Sequence, residues 1–551
     1  MKNLSAEPAH GSAAPADLIP DPLDAAARER FGISALFPYQ RLVATNILRA
    51  AGAEGYSARH SVNPVTGEVE IEDAVTDQIV ILPTGAGKSL CFMLPGVMLP
   101  GITVIVFPLL SLMADQLRRL EERGIPSRIL RGGQSPRERE ETFAALEKGS
   151  VSILITNPET LKQEKTLGRL EKCVIDHLVI DETHTVFEWG STFRPSYLDL
   201  HTIYERLDIR VITAFTATAS HLVLDEVKSI LFPNRSPHLI TADPDRPNIA
   251  YRVIPSICKD HDLTRLLRGT LPRPALVFCR TRRGAEETAR TLRYLLDEKE
   301  IYFYHAGLER EEKKRIEEWF FSSREGILTA TCAYGMGVDK SDIRTVIHKD
   351  PAPSVEAYLQ ESGRGGRDRK QAYAVLLLGP DETAAAQPAG RPAGTADPAG
   401  GDDAEKEPLE LRRYAEFIRA VVDPTQCRRE ALLGLLGSRP EACFGCDVCE
   451  GSVPEAPDGA AEICGLIKRY PRFFTLREAV TILSGRYKPE IYERNLWRFR
   501  GFAALKNWDE ECIEEAVLML IRAERLRRFK WGPWKGMLQV GIKPKLLQLS
   551  Q

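Results

Sequence analysis

The chain has 551 residues, 43% hydrophobic and 27% charged, which is too long for one hydrophobic core and ordinary for a globular protein of three or four domains. It holds no run of eighteen apolar residues, and its N-terminal stretch MKNLSAEPAHGSAAPADLIP lacks the charged-then-apolar order of a secretion signal, so neither a membrane span nor export is expected. A formal net charge of −3 excludes a wholly basic protein but not a phosphate-binding one, because a single basic channel is compatible with an acidic remainder.

Residues 1–28 read as a disordered tail, and 29–243 as a parallel α/β domain. Within it the short apolar runs QIVILP, TVIVFP, ILIT, HLVIDE and VITAFTA read as buried strands, separated by amphipathic stretches such as LMADQLRRLEERG. An insertion at about 55–76, SARHSVNPVTGEVEIEDAVTD, is patterned as a surface hairpin around Asn63-Pro64 and Thr66-Gly67.

The segment QIVILPTGAGKSL places a glycine-rich turn between a buried strand and a helix, where backbone N–H groups and the helix N-terminus cradle phosphates. Thr84, Gly85 and Gly87 form the turn, Lys88 is expected on the β- and γ-phosphates, and the Ser89 hydroxyl on Mg²⁺. Leu82 stands where the general phosphate-loop pattern has its first glycine, although PTGxGKS is a form that helicases use.

The strand HLVID runs into Asp181-Glu182-Thr183-His184, which sets two carboxylates at the C-terminal edge of the same sheet, where ligands of such sheets bind. In isolation this is an ordinary solvated strand end; paired with the phosphate turn it becomes a division of labour. Asp181 is expected to hold the Mg²⁺ shell, and Glu182 to orient and deprotonate the attacking water.

After a Pro-rich link, ADPDRPN, the strand pattern restarts with ALVFC, IYFYHAG, ILTATCAYG, TVIHKD and AYAVLLL, giving a second α/β domain over 244–380. Its end carries QESGRGGRDRK, whose Arg364 and Arg367 would share one face of a helix at three-residue spacing. Such arginines can stabilise charge on a γ-phosphate, or serve as a basic surface on a phosphate backbone.

Residues 381–408 are rich in Ala, Pro and Gly and read as a flexible linker. Cys427, Cys443, Cys446 and Cys449 come next, in a 409–453 segment with the spacing C-x15-C-x2-C-x2-C, which suits tetrahedral zinc and leaves an iron–sulfur cluster as an alternative. From 460 to 545 helical patterns precede two short strand candidates, RRFKW and MLQVGI, the order of a winged helix. Ile521 to Gly536 carries six basic residues against one acidic, interleaved with Phe529, Trp531 and Trp534, a composition for phosphate contacts with Trp531 stacking on a duplex end, or for a solvated basic face.

The order PTGAGKS, VFPLLSLMADQ, DETH, AFTATA, AYGMGVDK and QESGRGGR resembles the motifs of superfamily 2 helicases, and the detailed spellings resemble the RecQ family. That resemblance runs from about Phe31 to about Val540. It implies two RecA-like motor domains, a closed structural zinc site and a winged helix. HTVFEWGSTFRPSYLDL resembles the family's aromatic-rich loop, which implies DNA contacts at Trp189, Phe193 and Arg194 coupled to ATP hydrolysis. LFPYQ resembles its adenine-reading segment and puts Gln40 there, with Phe37 where the family usually has arginine.

The implied activity is an ATP-dependent 3′ to 5′ DNA helicase with ATP, Mg²⁺ and Zn²⁺. It would act on single-stranded DNA and on duplex with a 3′ single-stranded tail, in the cytoplasm and associated with the nucleoid, in repair or recombination. Motor motifs report the engine and not the track, so an RNA helicase or a translocase that does not unwind stays open, as does an ATP-gated DNA-binding scaffold.

Overall fold

The computed structural model describes residues 21–56, 60–62, 69–71, 77–83, 86–183, 195–334, 340–385, 409–486, 488–489 and 493–541. These fall into two compact units, the first within 1–81, 87–216 and 227–241 and the second within 82–86, 217–226 and 242–551. Among the described residues no helix is long and apolar enough to cross a membrane.

The first unit opens with a helix, Pro22–Phe31, that replaces the last part of the expected disordered tail. Its signals are local: the Asp21 carboxylate accepts the Leu23 N–H at 3.0 Å, Pro22 starts the helix, and Gly32 at φ +69° ends it. Leu23 and Ala27 are buried, which gives ten residues of an otherwise polar terminus a reason to fold. In the insertion, β1 (His60–Val62) pairs antiparallel with β2 (Val69–Ile71), as the hairpin pattern predicts; the intervening turn lies outside the described residues.

The sheet of this unit comprises β3 (Asp77–Ile81), β4 (Ile102–Val106), β5 (Ser127–Ile129), β6 (Ile153–Thr156), β7 (Ile175–Ile180), β8 (Val211–Thr216) and β9 (His238–Thr241). Their spatial order is β5-β6-β4-β7-β8-β3-β9, all parallel. β3, β4, β6 and β8 are buried at every position and are mostly apolar, as strands covered on both faces are. The sequence patterns missed β5 and β9 because an edge strand of three residues and a largely exposed one carry little periodicity.

The second unit builds on β10 (Ile249–Pro255), β11 (Ala275–Phe278), β12 (Ile301–Tyr304), β13 (Ile327–Ala330), β14 (Thr345–His348) and β15 (Ala372–Leu378), in the parallel order β10-β15-β14-β11-β13-β12. After β15 the helix Pro380–Ala385 occupies the first residues expected to be linker; 386–408 lie outside the described residues.

The cysteine-bearing segment shares a core with this sheet. Phe417, Ile418 and Val421 of helix Leu409–Val422 and Leu432 and Leu433 of helix Arg428–Gly434 pack with Tyr251, Val253 and Leu376. The last helices, Ala460–Arg469, Leu476–Ser484 and Glu510–Arg522, enclose Ile463, Phe474, Ile513 and Val517, and Ile257 and Cys258 join the same core. They precede an antiparallel pair, β16 (Leu526–Arg528) and β17 (Leu538–Val540).

Candidate functional site

β3, β8 and β7 are neighbours, so the segments that leave β3 and β7 emerge at one C-terminal sheet edge. Gly87, at the end of the glycine-rich turn, has φ +74°, a conformation that favours glycine, and a Cβ there would lie 2.5 Å from Gln40 Nε2 and displace that amide. The helix Lys88–Met98 starts from it without a side-chain cap, leaving its first N–H groups available to an anion; Ser89 lies in that first turn. Thr84 and Gly85 lie outside the described residues.

Lys88 Nζ stands 2.8 Å from Asp181 Oδ1 and 2.7 Å from Glu182 Oε1. Burial alone would push the ammonium pKa down, but the two carboxylates more than offset it and hold Lys88 protonated, above the usual lysine range. Burial pushes the Asp181 carboxyl up, against the pull of Lys88. Glu182 adopts φ +53°, in the left-handed region, and its N–H donates to Asp181 Oδ1 at 2.9 Å, while the Thr183 N–H donates to the Phe215 carbonyl at 2.9 Å. A non-glycine residue held in this region costs of order 1 kcal/mol and is typical of functional turns. The donor set suits a metal–phosphate ligand: one cation, two carboxylates and the Ser89 hydroxyl at one sheet edge.

Gln40, in the first turn of helix Pro38–Ala50, is 4% exposed, and its Oε1 accepts the Phe37 N–H at 3.0 Å. Its amide nitrogen faces Gly87, at the position an added Cβ would occupy. Phe37 is 48% exposed and stacks on Tyr39 with ring centroids 5.5 Å apart. An exposed phenylalanine stacked on a half-buried tyrosine stands where the resemblance led one to expect arginine.

The expectation that Arg364 and Arg367 share a helical face is corrected. Helix Val355–Ser362 stops before them, and both lie in a turn. Gly363, Gly365 and Gly366 weaken helix propagation, and Gly366, at φ +57°, sits in the turn beyond the helix end. Arg364 is buried and Arg367 half-buried. Sequence reasoning missed Glu356 in the preceding helix: its Oε1 accepts the Ser220 N–H at 3.2 Å and its Oε2 pairs with Arg413 Nη2 at 2.9 Å. Burial would raise the Glu356 pKa, but Arg413 and the Ser220 hydrogen bond bring it below the ordinary value. One carboxylate thereby links Ser220, the helix before the arginines and helix Leu409–Val422.

The sulfurs of Cys427, Cys443, Cys446 and Cys449 all lie within 4.8 Å of one another, and Cys427 Sγ and Cys446 Sγ are 3.9 Å apart. Tetrahedral zinc at about 2.3 Å from each thiolate needs sulfurs about 3.8 Å apart, so the set fits that ion. The knuckle lies along β10: the Tyr251 N–H donates to the Gly445 carbonyl at 3.2 Å and the Val253 N–H to Asp447 Oδ2 at 2.9 Å. Asp447 also pairs with the fully buried Arg428 at 3.0 Å.

Between β16 and β17, Trp531 is 82% exposed. Phe529 and Trp534 have ring centroids 6.1 Å apart, and the Arg472 guanidinium lies 4.5 Å from the Trp534 centroid. Arg472 is distant in sequence, and no local pattern could have joined it to these rings. Trp189, Phe193 and Arg194 lie outside the described residues.

Residues 68–227 match the DEAD/DEAH box helicase family and residues 258–369 the helicase conserved C-terminal domain. The chain is 30% identical over 462 residues, 83% of its own length, to the ATP-dependent DNA helicase RecQ of Pasteurella multocida (strain Pm70), and covers 71% of that protein. The chain belongs to the RecQ family of ATP-dependent DNA helicases. A further relative, the probable ATP-dependent DNA helicase RecS of Bacillus subtilis (strain 168), is 38% identical over 309 residues, 56% of this chain and 62% of its own. The crystal structure of the DUF1998 helicase MrfA bound to DNA has the same fold, with a TM-score of 0.50 at 20% identity over 65% of this chain and 51% of that one. Within the RecQ framework the Lys88, Asp181 and Glu182 cluster falls inside the matched DEAD/DEAH region, and Arg364 and Arg367 at the end of the matched C-terminal domain.

Proposed function

We propose that this RecQ-family helicase hydrolyses Mg²⁺-ATP at the Lys88, Asp181 and Glu182 cluster and uses the cycle to advance 3′ to 5′ along single-stranded DNA, separating duplex that carries a 3′ tail. The observation that carries this reading is the convergence of one half-buried ammonium and two carboxylates at the sheet edge, with Glu182 held in a strained turn. Lys88 leaves its carboxylate partners for the β- and γ-phosphates as nucleotide enters. Glu182, freed of the ammonium, accepts a proton from the attacking water, while Gly87 and the helix start hold the phosphate tail and Gln40 the base. Thr84 and Gly85 complete the turn. Arg364 and Arg367 supply cations to the charge that develops on the γ-phosphate. Ser89 and Asp181 would hold Mg²⁺, which would supply charge neutralisation at the phosphates.

In this reading residues 29–243 and 244–380 are the two RecA-like motor domains, 381–408 a linker, 409–453 a subdomain closed by zinc on the four cysteines, and 460–545 a winged helix. Trp189, Phe193 and Arg194 contact the single strand, and Trp531 stacks at the duplex end. The protein acts in the cytoplasm, on the nucleoid.

The experiment is ATP turnover with and without single-stranded DNA, beside unwinding of duplexes bearing either a 3′ or a 5′ tail. Strong stimulation with unwinding from the 3′ tail alone is expected. Unwinding from the 5′ tail would overturn the polarity, and stimulation by RNA in preference to DNA would overturn the track.

A further inference from the structure

The segment Asp245-Arg246-Pro247-Asn248 lies where the sequence suggests no more than a link between domains, yet its side chains converge on the turn that bears Arg364 and Arg367. Arg246 Nη1 donates to the Gly363 carbonyl at 3.0 Å, and its Nη2 to the carbonyls of Gly365 at 3.2 Å and Gly366 at 3.0 Å. Asn248 Nδ2 donates to the Gly366 and Lys370 carbonyls, both at 2.8 Å. A Cβ on Gly366 would collide with Asn248 Nδ2 and lie 2.5 Å from the Lys370 carbonyl.

Four carbonyls on one side of a turn are thus held by two side chains from a segment more than a hundred residues earlier. A planar guanidinium, with its donors fixed in a fork, can gather three of them at once; an ammonium on a flexible stem cannot hold the same geometry. The segment is itself anchored. Arg429, fully buried, donates to the carbonyls of Arg246 at 3.1 Å and Ile249 at 2.5 Å and pairs with the Asp245 carboxylate. Asp245 is therefore committed to Arg429, and the Arg246 head is directed to neutral carbonyls. Burial, and the nearby Arg367 and Arg369, press the Arg246 pKa below the usual arginine value. Accumulating positive charge at a glycine turn stabilises nothing by itself; it suits a site that receives phosphate.

We propose that Arg246, buttressed by Arg429 and assisted by Asn248, is a positioning residue for ATP hydrolysis: it clamps the Gly363–Gly366 turn so that Arg364 and Arg367 are presented in a preorganised geometry. This rests on the reading that those two arginines act on the γ-phosphate. The clamp touches no reacting atom. Its contribution appears in the transition state, where misplacement of a catalytic group by about 1 Å costs about 100-fold in rate.

The test uses the full chain with saturating single-stranded DNA. Arg246→Lys keeps the charge but loses the fork, and kcat for ATP should fall about 100-fold. Affinity for ADP and the thermal midpoint should stay close to those of the unmodified chain, while the preference for ADP–aluminium fluoride over ADP should drop. Removing both arginines, Arg364→Ala with Arg367→Ala, should cost about 1,000-fold or more. Adding Arg246→Lys to that variant should slow it no further, because residues acting through one another are not additive.

An equal loss on both backgrounds, or normal turnover by Arg246→Lys beside a dead Arg364→Ala, Arg367→Ala chain, would overturn the clamp and leave the arginine assignment standing. Normal turnover by the Arg364→Ala, Arg367→Ala chain would overturn that assignment, and the clamp with it. If Arg246→Lys lowers the thermal midpoint, Asn248→Ala, which removes only the Gly366 and Lys370 contacts, provides the second reading. It should show the same non-additivity with a smaller loss, and full additivity would overturn the proposal.

Discussion

Lys88 Nζ lies 2.8 Å from Asp181 Oδ1, so the ammonium at the start of the helix after β3 closes on the carboxylate at the end of β7. Both side chains are largely withdrawn from solvent, at 14% and 6% exposed, and Glu182 completes the cluster at 2.7 Å. In this arrangement the residue expected to grip phosphate neutralises the carboxylates expected to serve the metal and the water.

Lys88→Ala should therefore do two things. It should abolish ATP turnover, and it should destabilise the nucleotide-free protein by about 3 kcal/mol, because the buried Asp181 and half-buried Glu182 carboxylates lose their counter-ion. Glu182→Gln should retain nucleotide and lose hydrolysis by about 100- to 10,000-fold. Nucleotide binding, turnover and denaturant titrations on the same preparations separate these effects. Normal hydrolysis in either variant would sink the assignment.

The four thiols should carry one zinc per chain, measured by elemental analysis. Cys446→Ser should lose the metal and lower the unfolding midpoint, since metal binding in such sites is folding free energy. A visible charge-transfer band with iron in the sample would instead favour the iron–sulfur alternative. Because Arg428 and Arg429 directly follow Cys427 and reach Asp447, Asp245 and the Arg246 carbonyl, loss of metal should also depress ATP turnover.

Trp531→Ala should leave DNA-stimulated ATP turnover nearly intact while weakening binding to a single-strand/duplex junction by about tenfold, the contribution of one base stack. The residue is 82% exposed, so its loss costs the fold little. Junction binding by fluorescence anisotropy reads the effect, and an unchanged affinity would place the duplex contact elsewhere.

Buried His177, whose Nε2 lies 2.9 Å from Thr213 Oγ1, has its pKa pushed down to about 3 by burial. Its stabilising effect is complete above the unfolded value of about 6.5 and is lost as pH falls below that, because the unfolded chain takes up a proton that the folded one refuses. Between pH 7.5 and pH 5 this amounts to about 2 kcal/mol. In His177→Gln that part of the acid destabilisation should vanish from urea titrations at the two pH values. An unchanged pH slope would mean that the imidazole titrates normally.

The two parallel sheets, the helix that follows the glycine turn after β3, the Asp181-Glu182 carboxylates at the end of β7 and the four clustered cysteines were legible in the chain because each is specified within a few residues. Apolar runs of five or six residues report strands buried on both faces, and a C-x2-C spacing or a glycine turn after a strand carries its chemistry locally. Only the tertiary structure decided whatever depends on distant segments meeting. Lys88 joins Asp181 and Glu182 across 93 and 94 residues, and the Arg246 fork meets the Gly363–Gly366 carbonyls more than a hundred residues away. Arg364 and Arg367 left the expected helix for the same reason. Three-residue spacing is compatible with a helix, but the glycines between them, and a side chain elsewhere that binds their carbonyls, favour a turn. Local sequence sets which conformations are cheap, and contacts that form only when the chain has folded choose among them.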